Sequence, residues 1–416
     1  MPPDDSAHLL LTGASLADGG VADVLVRAGR VEATGPAAES ALGSAPAHRL
    51  DLTGFVLLPA PAEPHAHLDK ALLADRVPNP AGDLRGAIVA TRAAYATMGR
   101  SDVESRARRA LRIALARGFT AVRTHANCEE GIGTAAVSAL CDVRAAARGA
   151  LDLQVIAMAG FPITGVAGAE NRRLLTAALA AGADGVGGAP ALDDDPARAV
   201  TELVRAAADG GVPIDLHLDE TLDARSLTIS RFIDEVEAHG LAGRATASHC
   251  VSLGQLDPEH ARALAVRLAQ ARIAVVTLPQ TNLYLQGRET ETRVPRGLTA
   301  ISVLRRAGVV LAGGGDNWRD PFNPLARIDP LETASLLVAA GHLPPAEAYA
   351  AVSDAARRAL GLEAAGPVPG AVADLLALRG ANLAEALAHA GDERLVFHAG
   401  RLVARTSTAV EVAADL

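Results

Sequence analysis

Apolar and polar positions change their rhythm twice along the chain. Between about residues 8 and 58, short β-type runs ("HLLLTGASL", "ADVLVRAGRVEAT", "HRLDLTGFVLLP") are broken by Gly, Asp and Pro turns, as in a small antiparallel sheet. The C-terminal stretches "GPVPGAVADLLALRG" and "RLVFHAGRLVART" repeat that rhythm. The two ends are therefore expected to pair into one accessory β-sandwich, residues 1–58 with 367–416, around a central domain of residues 59–366.

In the middle, apolar strand-like runs alternate with Ala/Arg/Leu-rich helical segments such as 102–117, 196–209, 225–239 and 256–271. Eight runs are strand-like: 55–65, 120–126, 151–159, 183–188, 213–218, 245–250, 273–279 and 309–315. Continuous apolar strands separated by helices predict an α/β fold, a (β/α)8 TIM barrel whose strands are buried on both faces. A doubly wound open sheet is the alternative, but no GxGxxG follows the first strand of the alternating region.

The barrel gives the polar residues an address. His65 and His67 follow the first strand, His125 ends the second, His217, Asp219 and Glu220 end the fifth, His249 the sixth and Asp316 the eighth. The C-terminal strand ends of this fold converge on one mouth, where its active sites lie. His65 and His67, two apart on an extended segment, point to the same side and can reach one ion about 2 Å away. With His217 and Asp316 they offer three nitrogens and one carboxylate oxygen, a set that suits one Zn²⁺ or Fe²⁺ rather than Mg²⁺ or Ca²⁺. His8, His48, His239, His260, His342, His389 and His398 fall in the end segments or on predicted helices and read as structural or solvated.

Composition narrows the partners. The 416 residues are 50% apolar, enough for a sizeable core, and carry a net charge of −9 with FWY at 2%, so no basic or aromatic surface would match nucleic acid. A small-molecule partner is expected. Cys128, Cys141 and Cys250 are odd in number, widely spaced and without CxxC, which fits a reduced compartment. The start "MPPDDSAHLLLTGASL" is acidic, and no apolar run approaches the roughly 20 residues that span a bilayer, so no membrane association and a cytoplasmic location are expected.

On these residues the chain resembles the amidohydrolase superfamily, in its cytosine deaminase branch. "LLPAPAEPHAHLDKALL" resembles the family's opening HxHLDK block, "RTHAN" its second-strand block, "DLHLDET" its HxDE block and "ASHC" its sixth-strand histidine. "TNLYLQGRETETRVPRGLTAISVLRRAGVVLAGGGDNWRDPFNPL" resembles, in order and spacing, the segment that ends in the family's metal-binding aspartate. The resemblance implies one metal held by His65, His67, His217 and Asp316, with Glu220 and His249 handling protons. Many relatives bridge two metals with a fourth-strand lysine, but "ADGVGGAP" has none and Lys70 is the only lysine in the chain. A mononuclear site is thus expected, with Lys70 an ion-pair partner near the first-strand ligands, a substrate contact being the alternative.

A bound metal lowers the pKa of its water from 15.7 toward about 7, so hydroxide is available at neutral pH. In the implied mechanism Asp316 accepts the water's proton and His249 orients the nucleophile. Glu220 protonates a ring nitrogen and then helps to expel ammonia or an amine. Asp219 and His125 are expected to orient other groups of the site from behind. The sequence also departs from its relatives. Gly160 stands near the position where cytosine deaminases place a substrate-reading glutamine, Gly315 where relatives carry histidine, and Asn317 where they carry a second aspartate, which argues against cytosine itself as the substrate. Gln280, Asn282, Asn317, Trp318 and Phe322 lie on the last loops and are the candidates for the pocket.

The expected activity is hydrolytic deamination of a small nitrogen heterocycle. Alternatives are ring-opening or N-alkylamine hydrolysis at the same metal, or a metal-containing binding protein without turnover. Relatives commonly assemble, so a homo-oligomer is expected.

Overall fold

The computed structural model describes residues 8–413, so the outermost residues of the expected accessory domain lie outside the description. Eight strands form a wholly parallel sheet in sequence order: β6 (Ala62–Ala66), β7 (Ala121–Cys128), β8 (Asp152–Ala159), β9 (Gly185–Gly188), β10 (Ile214–Leu218), β11 (Ala245–His249), β12 (Ala274–Thr277) and β13 (Leu311–Gly313). β6, β9, β10, β11, β12 and β13 are buried at every position, because barrel side chains cover one face and helices the other. A parallel bridge between Ala66 and Asp316 closes the circle, with the Asp316 amide donating to the His65 carbonyl at 3.0 Å. This is the TIM barrel that the alternation predicts.

Helices pack outside. Two of them, Pro196–Gly210 and Pro258–Gln270, begin with an Asp-Pro pair: Asp195 accepts from Arg198 N, Asp257 accepts from Glu259 N and His260 N, and proline sits where a free amide is not needed.

The two ends of the chain meet as expected. β1 (His8–Ser15), β2 (Val21–Arg27), β3 (Arg30–Thr34), β4 (Ala47–Asp51), β5 (Phe55–Pro59), β14 (Leu375–Arg379), β15 (Arg394–His398) and β16 (Arg401–Thr406) make one mixed sheet. It curls so that Leu11, Val24 and Val31 pack in the same core as Leu57, Leu375 and Phe397. On the alternate positions Val56, Leu58, Leu376, Leu378 and Val396 join the barrel's core, so β5, β14 and β15 are buried on both faces. Arg394, fully buried, ties the units further by donating to the Arg117 carbonyl at 2.7 Å and to both oxygens of Asp329.

One run departs from expectation. The stretch 55–65 is not a single barrel strand. Its first half is β5, antiparallel to β14, and the barrel strand starts only at Ala62. Pro59 and Pro61 lack amide donors, which interrupts the ladder and lets the chain step from one sheet to the other.

Candidate metal centre and active site

The residues nominated at the strand ends come together. His65, His67, His217 and Asp316, all buried, each offer a ligand atom, and these atoms lie within 4.8 Å of one another. His217 Nε2 is 3.1 Å from both His65 Nε2 and His67 Nε2, and Asp316 Oδ1 is 3.2 Å from His67 Nε2. Imidazole nitrogens aimed at one another repel unless a proton or a cation lies among them. Asp316 Oδ1 is buried without a hydrogen-bond partner, and a buried polar atom left alone is costly. An N₃O donor set with an orphaned carboxylate oxygen fits a Zn²⁺- or Fe²⁺-class ion.

The chain is bent to make this cluster. Asp316 (φ 62°), His249 (φ 68°) and Asp219 (φ 51°) all adopt the left-handed conformation just past or at their strand ends, a strain that concentrates at functional sites.

Behind the ligands, a buried network sets which nitrogen faces the centre. Ser248 Oγ donates to Asp215 Oδ1 at 2.7 Å and lies 2.8 Å from His65 Nδ1. Its proton being committed to Asp215, Ser248 accepts from His65 Nδ1–H, which leaves the Nε2 lone pair toward the cluster. Burial would raise the Asp215 carboxyl, but His125, His65 and Arg123 outweigh it and hold it well below the usual range; Arg123 Nη1 donates to Asp215 Oδ2 at 3.0 Å. His125 stacks on His65 with ring centroids 4.0 Å apart. The glycines of β9 make room: a Cβ at Gly187 would lie 2.8 Å from Ile156 Cγ2 and 3.0 Å from His125 Nδ1. Burial, and then the crowding of cationic forms, pushes the imidazoles of His67 and His217 well below their ordinary range, so both are neutral and able to ligate.

Lys70 lies 3.0 Å from His67 Nδ1 and donates to Asp69 Oδ1 at 3.2 Å and Asn127 Oδ1 at 3.1 Å. The lone lysine is thus built into the wall beside a candidate ligand.

Glu220 and His249 face the cluster from the other side. Asn282 Nδ2 donates to Glu220 Oε1 at 3.2 Å and to His249 Nδ1 at 3.1 Å. Burial pushes His249 down to about 4, so the ring is neutral; with Nδ1 accepting, its proton sits on Nε2, 3.9 Å from Asp316 Oδ2. Burial, reinforced by Asp316, lifts the Glu220 carboxyl well above its ordinary range.

A cavity of about 570 Å³, counting the open space at its mouth, ends on this cluster. Asn317 and Phe322 line it, as expected from the sequence. Gln280 and Trp318 do not. Gln280 donates to Glu332 and Arg327, while Trp318 is 1% exposed and packs near Phe119. Asn282 is bonded to Glu220 and His249 and is not part of the wall. Asp219 is at the strand end, but its carboxylate accepts from Thr228 N (2.8 Å), Thr228 Oγ1 (2.7 Å) and Ile229 N (3.1 Å), so it anchors the helix that follows.

Sequence reasoning passed over Glu63, Asp215, Ser248, Asn127, Glu129 and Arg92. Glu63 joins the ends of the barrel by accepting from His65 N at 3.1 Å and Gly315 N at 2.9 Å; burial pushes its carboxyl up to about 8. A signal existed for most of them: 63/65/67, 125/127/129 and 215/217 each follow the period of two that puts residues on one side of an extended strand.

Comparison with known proteins agrees with this picture. Residues 72–406 match the model of the amidohydrolase family. A pterin deaminase from Rhizobium rhizogenes is 33% identical over 393 residues, 92% of this chain and 88% of that protein. The structure of 5-methylcytosine deaminase from Klebsiella pneumoniae, liganded with 5-fluorocytosine, superposes with a TM-score of 0.87 at 27% identity, covering 98% of this chain and 100% of that one. That of N-isopropylammelide isopropylaminohydrolase from Burkholderia multivorans gives 0.83 at 29% identity, covering 96% and 99%. The chain belongs to the amidohydrolase family.

Proposed function

We propose that this hydrolase of carbon–nitrogen bonds deaminates an aminated nitrogen heterocycle at a single Zn²⁺- or Fe²⁺-class ion held by His65, His67, His217 and Asp316. The observation that carries the reading is the juxtaposition of that cluster with Glu220 and His249 at the closed end of one cavity. When bound, the ion supplies a water of lowered pKa as nucleophile.

The remaining tasks belong to side chains. Asp316, whose Oδ2 faces His249 Nε2, takes the nucleophile's proton. His249 Nε2–H stabilises the negative charge that builds on the attacked centre. Glu220, whose carboxyl burial raises well above its ordinary range and so favours the acid form, donates to the ring nitrogen beside the attacked carbon. The proton held by Asp316 then goes to the departing amine and the hydroxyl proton of the addition product returns to Glu220, so that water and the C–NH₂ group become a C=O group and ammonia.

Leu84, Ile88, Met158, Phe161, Leu192 and Phe322 form apolar walls suited to a flat ring. The pterin of the Rhizobium relative is therefore the first substrate to test, ahead of cytosine. The aminohydrolase relative favours a second reading, in which the leaving group is a substituted amine. Incubating the metal-loaded protein with pterin, aminated pyrimidines, triazines and N-alkylated triazines, and assaying ammonia and amines separately, decides between the two. Release of neither product from any of them overturns both.

A further inference from the structure

The cavity wall away from the metal cluster carries a second polar group, centred on Arg92 near the end of the helix Leu84–Ala94. Its Nε and Nη2 donate to Glu129 Oε2 at 3.1 and 2.5 Å, Nη2 also reaches the Phe161 carbonyl at 3.3 Å, and the guanidinium lies 4.0 Å over the Phe161 ring. Glu129 Oε1 accepts from the Tyr95 hydroxyl and from Asn127 Nδ2. Both oxygens of Glu129 are thereby filled. Among the described residues Arg92 Nη1 donates to nothing.

This arrangement depends on Gly160, where the family resemblance leaves a substrate-reading side chain missing. A Cβ there would lie 2.3 Å from Glu129 Cβ and 2.9 Å from Asn171 Oδ1. Glu129 thus fills the space that a side chain at 160 would need, and holds Arg92.

A guanidinium has donors and no acceptor. It rewards a carbonyl or carboxylate oxygen and disfavours an amino group. We propose that Arg92 is a specificity-determining residue that selects heterocycles bearing an oxygen acceptor on the edge turned away from the leaving amine, with Glu129 and Phe161 as positioning residues. This deepens the deaminase reading and rests on it. It also orients the substrate, because the amine is directed to the Glu220 end and the oxygen to Arg92.

The test uses the zinc-loaded protein and three probes: 2-aminopteridine, the same ring with a carbonyl at C6 (2-aminopteridin-6-one), and the same ring with a carboxylate at C6, which put the oxygen on the edge across from the amine. Wild type is expected to prefer one or both oxygen-bearing probes in kcat/KM, and which one identifies the acceptor. Arg92→Met should lower the ratio of kcat/KM for the preferred probe to that for the unsubstituted ring by about 10- to 100-fold, the range of a hydrogen bond to a charged group. Arg92→Lys should restore part of the loss. Glu129→Gln should raise KM for the preferred probe with little change in kcat.

Equal losses on all probes in Arg92→Met, or no preference in wild type, overturn the proposal. If wild type releases no ammonia from any probe, the deaminase reading fails instead. Dissociation constants from quenching of pteridine fluorescence then still compare Arg92→Met with wild type: weaker binding of the oxygen-bearing probes alone supports the recognition, and unchanged binding refutes it.

Discussion

Ser248 Oγ lies 2.8 Å from His65 Nδ1, and the hydroxyl is itself fixed by Asp215. The contact sets the tautomer of a candidate metal ligand from behind. Ser248→Ala removes the acceptor for Nδ1–H and is expected to weaken metal affinity by about 10–100-fold, the usual cost of losing such support, with the fold intact. Competition against a chelator of known affinity checks this, and wild-type affinity in the variant would remove the tautomer argument.

Glu220→Gln keeps the size of the side chain and removes its proton transfer. Metal content should stay at the wild-type level, while kcat falls by about 10²–10⁴-fold. A rate near wild type would eliminate the proposed shuttle.

The pH profile follows from the same residue. Burial and Asp316 raise the Glu220 carboxyl, so the acid form persists above the ordinary carboxylate range and activity is lost as pH climbs through the raised value. The hydrogen bond from Asn282 pulls that value down. Asn282→Ala should therefore displace the alkaline limb of kcat/KM to higher pH and, by freeing His249 Nδ1, lower kcat by about tenfold. An unmoved limb would show that another group sets it.

Gly187 is required by packing. A methyl group there meets Ile156 and His125 at 2.8 and 3.0 Å and the Asp215 carbonyl at 3.2 Å, so Gly187→Ala should cost about 1–3 kcal/mol through overpacking. Denaturant unfolding should show a lower midpoint with an unchanged slope. A midpoint equal to wild type would mean that the barrel interior yields freely.

Much of this was legible in the chain. Alternating apolar runs specify the barrel because both faces of each strand are buried, and the helix expected from 196 starts there, at an Asp-Pro pair, while the one expected from 256 starts at Pro258. The split at Pro59 and Pro61 was missed because "FVLLPAPA" is apolar throughout, and an apolar run does not say which sheet it joins. Of the site, the residues that converge on the centre could be named from strand ends. Asp215 and Glu63 shared their period of two but lacked the chemical distinctness of histidine. Arg92 carried no local signal at all: one arginine among 38 acquires meaning only when its helix is laid over the mouth and Glu129 turns toward it. Conversely, Trp318 sits two residues past Asp316 and Gln280 two before Asn282, yet Trp318 is buried in the core beside Phe119 and Gln280, in the helix Pro279–Leu285, turns to Glu332 and Arg327.

The central claim is that four side chains from β6, β10 and the end of β13 share one cation. Metal analysis of the purified protein beside His217→Ala, both reconstituted with zinc and freed of excess, tests it most directly. A single ion per chain in wild type and almost none in the variant is the predicted result. Equal metal in both, or none in wild type, would contradict the account.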